Sequence, residues 1–211
     1  MESADIILII ALVFSVVLHE MAHGYAANWL GDPTARLAGR LSANPVVHID
    51  PLMSVILPAF LILSGSPILF GAAKPVPYNP YNLSNQKWGE AIVAVAGPVM
   101  NLAIAFIFAM LINFHMMLGL SAMFVQVAFS IVMLNIFLAL FNLIPIPPLD
   151  GSKILPRLLP YNLSMKYENL RVNMERNLAV SFFVVILVFV FFLGGPLYET
   201  TRWLADLIIF I

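Results

Sequence analysis

Two histidines and a glutamate carry the first chemical signal in this chain. His19-Glu20-Met21-Ala22-His23 sets two imidazoles four residues apart, and residues at i and i+4 share one face of a helix. Both rings can therefore point at one metal ion, and Glu20, one step round, can reach a water on that ion as general base. The chain has no cysteine in 211 residues, so disulfides and thiolate ligands are excluded and any further ligand must be His, Asp or Glu. Catalytic zinc typically keeps three protein ligands and one open position, so a two-histidine site lacks one. Asp150 is the best candidate: it follows Pro145-Ile146-Pro147-Pro148-Leu149, a proline-stiffened break after a long apolar run. The plainer readings are two helix histidines without a role and an Asp150-Gly151 turn. The first leaves unexplained why ionisable groups stand where each costs insertion energy.

That cost follows from the element that must hold them. From Ile6 to Leu18 the chain is apolar except at Ser15, and residues 6–30 form a helix long enough to cross a hydrocarbon core of roughly 30 Å. Composition extends this reading to the whole chain. At 62% hydrophobic and 10% charged, it lies far from soluble proteins, of which roughly a quarter is charged. The net charge of −1 and the lack of a dense basic stripe argue against a nucleic-acid partner. Glu2 and Asp5 stand where a signal peptide would be basic, and cleavage near residues 25–27 would discard the motif.

Further along, Gly31-Asp32-Pro33 ends the first helix, and residues 34–45 alternate enough to suggest a short hairpin at the membrane surface. The apolar run 52–70 is interrupted by Pro58, Gly65 and Pro67, the pattern of a re-entrant segment. Prolines at 75, 77 and 80 predict extended chain over 71–82. Residues 91–112, with Gly97, Pro98 and Asn101, and residues 122–144, with Gln126 and Asn135, are two more spans. Small residues in such a helix admit a neighbouring backbone. An interfacial polar stretch follows Asp150, then a last span over 178–193 and a short tail after Gly194-Gly195-Pro196. The expected fold class is an all-α polytopic membrane protein: about four transmembrane helices, one re-entrant or broken apolar segment and the surface hairpin. It reads as one membrane-embedded domain over 1–211, with its core at 6–155 and residues 156–211 as interfacial stretch and last helix.

Taken together, His19-Glu20-xx-His23, Gly97-Pro98-xx-Asn101 and the run from Asn142-Leu143 to Leu149-Asp150-Gly151 resemble the site-2 proteases, the intramembrane zinc metalloproteases. The stretches 39–51 and 73–77 are similar to the small prokaryotic subgroup without a PDZ-like insertion or a cystathionine-synthase-type domain. The resemblance implies one zinc ion held by His19, His23 and Asp150, Glu20 as catalytic base, and Asn142 holding substrate backbone. Asn101 is a further candidate for substrate contact. His48 has three readings: a hydrogen-bond donor to the transition state, a fourth zinc ligand that holds the enzyme inactive, or a surface histidine before a turn. The implied substrate is a single-pass transmembrane protein in the lipid bilayer, cut in or near its membrane segment.

Topology follows from counting. His19 and His23 lie late in the first span and Asp150 just past 122–144, so an even number of crossings must separate them if they share a metal. Three apolar runs lie between, and the broken one at 52–70 is the one expected not to cross. Nine of the ten Lys and Arg then share one face, which the positive-inside rule makes cytoplasmic, with the active site nearer that side. A competing class is a zinc-binding scaffold or metal-ion transporter, since intramembrane ionisable residues also mark ion pathways. Against it, Glu20 has a clear role as a base but none as a third-site ligand, and the spans show no paired half-repeats.

Overall fold

A computed structural model of the chain describes residues 3–51, 56, 63 and 73–210. Every regular element among the described residues is helical. α1 (Ser3–Trp29) is followed by the single turn α2 (Thr34–Leu37), and then by α3 (Gly89–Asn113), α4 (Ala122–Asn142), α5 (Gly151–Leu158), α6 (Tyr161–Glu175), α7 (Leu178–Val188) and α8 (Gly194–Ile208). Among the described residues, four stretches are long and apolar enough to cross a membrane: Ile6–Trp29, Gly89–Asn113, Ala122–Asn142 and Leu178–Ile208. The expected re-entrant segment over 52–70 lies, but for Ile56 and Leu63, outside the described residues. Its flanks meet, because the Lys74 amide donates to the His48 carbonyl at 2.8 Å.

α3 is the central helix, touching α1, α4, α5 and α8. Alanine makes this possible. Ala105 and Ala109 of α3, Ala128 of α4 and Ala205 of α8 are at most 1% exposed around Ile112, Val132 and Ile136, and such small side chains let helices approach closely enough for dispersion to hold them in lipid. Caps fix the helix starts: Ser121 Oγ accepts from the Phe124 amide at 3.2 Å and Asn177 Oδ1 from the Val180 amide at 3.3 Å.

Two expectations change, the hairpin and the short tail. Residues 34–45 do not make the expected surface hairpin. Asp32 Oδ1 accepts from both the amide and the hydroxyl of Thr34, which starts the turn of α2, and Pro45–His48 winds into a 3₁₀ turn capped by Asn44. Arg40 is drawn inward, its Nη2 donating to the Lys74 carbonyl at 2.6 Å. The interfacial stretch after Asp150 is the helix pair α5 and α6. The tail after residue 193 is also helical, since α8 continues α7 through a π-helical stretch, Phe189–Leu193. Pro196 lies in the first turn of α8, where its missing N–H costs little, and the π stretch absorbs the change of register.

Polar clamps tie the loops together at the end of the bundle where α1 finishes and α3 begins. Asp32, fully buried, also accepts from the Asn79 amide at 2.7 Å and Asn82 Nδ2 at 2.9 Å. Burial opposes its charge, but these four donors more than offset that and hold the carboxyl below the usual carboxylate range. Glu90 at the start of α3 takes Arg157 of α5 at 2.9 Å and Arg171 of α6 at 3.0 Å, and Arg171 also meets Glu168 at 2.8 Å. α5 and α6 are thereby fixed against α3.

Candidate metal centre

α1 presents His19 and His23 on one face, their rings perpendicular with centroids 4.6 Å apart. α3 crosses directly over them at Gly97. A Cβ there would lie 2.5 Å from His23 Cε1 and Nε2 and 2.6 Å from His19 Cε1, so only glycine allows the approach. The chain break after α4 then delivers Asp150 at the start of α5. Its Oδ2 lies 3.2 Å from His19 Nε2 and 3.3 Å from His23 Nε2, and the two Nε2 atoms are 3.1 Å apart. All three residues are 7–8% exposed.

The donor set fits a metal ion. The Val93 carbonyl lies 2.7 Å from His23 Nδ1 and can only accept, so the His23 proton belongs on Nδ1 and Nε2 presents a lone pair. Asp150 Oδ2 is buried and has no hydrogen-bond partner among the described residues. Ligand atoms about 2.0–2.1 Å from a tetrahedral ion lie about 3.3 Å from one another. The separations here match that spacing, and His19, His23 and Asp150 are the group among the described residues able to hold a metal in this way.

Glu20 faces the same cavity of about 490 Å³, whose lining includes Tyr78, Phe141, Asn142, Lys153 and Glu175. Its Oε2 accepts from the Val76 amide at 2.8 Å, which orients the carboxylate beside the two histidines. Asn142 lines the cavity and anchors itself by donating from Nδ2 to the Leu138 carbonyl at 2.9 Å. Asn101, the other candidate for substrate contact, stands among the residues around the cavity but is fully buried, with Oδ1 2.5 Å from His19 Nδ1 and Nδ2 donating to Asn135 Oδ1 at 2.9 Å. His48 is 3% exposed and so is no surface histidine. Its Nε2 donates to the Ser42 carbonyl at 2.9 Å, and it does not join the His19, His23 and Asp150 group.

Two features escaped the sequence reading. Lys153, placed with the interfacial polar residues, lies over the Tyr78 ring at 5.5 Å and lines the cavity. Burial works against its charge, but Tyr78, Asp150, Glu175 and Glu20 outweigh this and raise the ammonium above the ordinary lysine value. The available signal was its spacing of three from Asp150 at a helix start. Ser15 is the second, four residues before His19 on the same face of α1 and 3% exposed.

The family model described as peptidase family M50 matches residues 7–124 and 114–190. YwhC of Bacillus subtilis, provisionally named a zinc metalloprotease, is 37% identical over 194 residues, covering 89% of this chain and 82% of that protein. Rip2 of Mycobacterium tuberculosis, with the same provisional name, is 28% identical over 207 residues, 96% of this chain and 74% of its own. MJ0392 of Methanocaldococcus jannaschii, named a zinc metalloprotease, is 25% identical over 184 residues, 87% of this chain and 42% of that protein. No solved structure gives a significant match.

Proposed function

Since the chain belongs to peptidase family M50 and is by that membership a membrane zinc metalloprotease, we propose that it hydrolyses peptide bonds in or beside the transmembrane segments of other membrane proteins, the step of regulated intramembrane proteolysis. One observation carries this reading: three ligand atoms, 3.1–3.3 Å apart, converge beside a carboxylate and a cavity at one end of four apolar helices. In it His19, His23 and Asp150 hold the ion. Zinc, when bound, supplies a Lewis acid that lowers the pKa of a water to roughly 7 and polarises the scissile carbonyl.

The chain's own residues do the rest. Glu20, oriented through Oε2 by the Val76 amide, takes the proton of the attacking water on Oε1 and returns it to the leaving amine. The substrate is a single-pass transmembrane protein whose helix hides its carbonyls in internal hydrogen bonds, so it must unwind locally before attack. Asn142 and Lys153, both lining the cavity, are placed to take backbone carbonyls released by that unwinding. Residues 74–82 offer little free backbone edge for strand addition to an unwound substrate. The Lys74 amide is held by His48, the Val76 amide by Glu20 and the Asn79 amide by Asp32, and Pro75 and Pro77 have no N–H.

Cleavage by the purified, detergent-solubilised protein tests the reading against model single-pass substrates, with wild type compared to Glu20→Gln and to chelated protein. Wild type should cut within the membrane segment. Glu20→Gln should keep one zinc per chain while its rate falls at least 10²-fold, and chelation should abolish cutting. One bound zinc with no cleavage difference between wild type and Glu20→Gln would instead favour the non-catalytic scaffold or transporter.

A further inference from the structure

Behind His19 runs a chain of buried polar side chains that neither metal binding nor proton transfer uses. His19 Nδ1 meets Asn101 Oδ1 at 2.5 Å, Asn101 Nδ2 meets Asn135 Oδ1 at 2.9 Å, and Asn135 Nδ2 meets both Ser15 Oγ and the Ile131 carbonyl at 3.0 Å. Asn101 and Asn135 are fully buried and Ser15 is 3% exposed, so no water competes for these groups. The four residues come from three helices, α1, α3 and α4.

The sense of every bond follows from the far end. A backbone carbonyl only accepts, so the Asn135 atom facing Ile131 must be its NH₂. Its other atom is then the oxygen, which requires the NH₂ of Asn101 opposite it. That leaves the Asn101 oxygen toward His19, and Nδ1 of His19 must donate. We infer that Asn135 is a positioning residue that sets the tautomer of His19 through Asn101, holding the proton on Nδ1 and keeping the Nε2 lone pair aimed at the metal. His23 receives the same assignment in one step from the Val93 carbonyl. His19 has no backbone carbonyl recorded against its ring among the described residues, and the two amides carry that instruction from α4. Outer groups that fix a ligand histidine in this way typically change metal affinity by 10–100-fold when removed.

The inference rests on His19 being a metal ligand, and the two can fail separately. Zinc affinity of the full-length protein in detergent is measured by competition with a chromophoric chelator. Equal affinity in wild type and His19→Ala would remove the ligand reading itself. With that reading intact, Asn135→Leu frees Asn101 to turn its NH₂ toward His19, which favours the wrong tautomer, so affinity should fall 10–100-fold. Adding Asn101→Asp to Asn135→Leu should recover most of the loss, because a carboxylate can only accept. A purely structural role for these amides predicts the opposite, since the second change puts a buried carboxylate beside a leucine. Wild-type affinity in Asn135→Leu, or a double variant no better than the single one, overturns the inference. A second readout needs no change at Asn135: ¹⁵N-histidine spectra of zinc-free protein, assigned with His19→Ala, should show His19 protonated at Nδ1. An Nδ1 of His19 that carries no proton overturns the assignment as well.

Discussion

Gly97 shows how much of the metal centre depends on one missing atom. A methyl group there meets both imidazoles at 2.5–2.6 Å, and neither ring can retreat, because His23 is held by Val93 and His19 by Asn101. Gly97→Ala must therefore push α3 away from α1. The expected result is a folded protein destabilised by about 1–3 kcal/mol, with zinc affinity at least tenfold weaker, read by thermal unfolding and chelator competition. Asp32 makes a prediction of a different kind. Its folded pKa is depressed, so its contribution is complete above the unfolded carboxylate value of about 3.9 and is lost as pH falls through the lower folded value. Asp32→Asn should cost about 2 kcal/mol at pH 7. The gap to wild type in thermal unfolding should narrow below about pH 4; a gap independent of pH would mean that the charge is not what these four donors read.

At the scale of elements, the site is held by the way α5 and α6 dock on α3. Asp150 precedes α5 directly, and α5 is anchored by Arg157 to Glu90, itself shared with Arg171 of α6. The carboxylate of Glu90 and the guanidinium of Arg171 are each only 11% exposed, so removing one partner strands a buried charge. Glu90→Ala should destabilise by about 3–5 kcal/mol and lower zinc affinity, because Asp150 loses its anchor while both histidines keep theirs. Burial and the surrounding carboxylates pull in opposite directions on Arg171, and Glu90, Glu168 and Glu175 win, so the Arg171 guanidinium keeps its charge. Unchanged metal binding in a measurably destabilised Glu90→Ala would separate this clamp from the site.

For the whole molecule, the prediction concerns sidedness. Trp29, the start of α3, the end of α4 and α5 share the site end, whereas Asn113 meets the Ile208 carbonyl and the Phe210 amide at the other end. The chain has no native cysteine, so single cysteines report cleanly. Ser84→Cys lies at the site end, where the Ser84 amide donates to the Leu30 carbonyl, and Met116→Cys at the opposite end, where Met116 is 84% exposed. If the basic face is cytoplasmic, a membrane-impermeant maleimide should label Met116→Cys in intact cells and Ser84→Cys only after permeabilisation. The reverse pattern would place the active site outside.

The sequence by itself determined the membrane class, the first three spans and the start of the last, and it singled out His19, Glu20, His23 and Asp150, for reasons that are local. Apolar length reads directly as a spanning helix, the i, i+4 spacing of His19 and His23 guarantees a shared face, and zinc chemistry asks for a third, non-thiolate ligand, for which Asp150 is the candidate that the structure sets against both rings. Where local patterns had no unique outcome, the tertiary structure decided. The alternation over 34–45 gave way to a capped turn because Asp32 found donors in Thr34, Asn79 and Asn82, two of them nearly fifty residues distant. Gly194-Gly195-Pro196 suggested a stop, and the helix instead ran on through a π stretch. Asn101, legible in the sequence only as a candidate substrate contact, is the buried link between His19 and Asn135, because only the packing of α3 against α1 and α4 determines which partner an intramembrane amide meets. Spacing along the chain settles which residues share a helix face; which face meets which neighbour depends on contacts between helices, and these are encoded in no single segment.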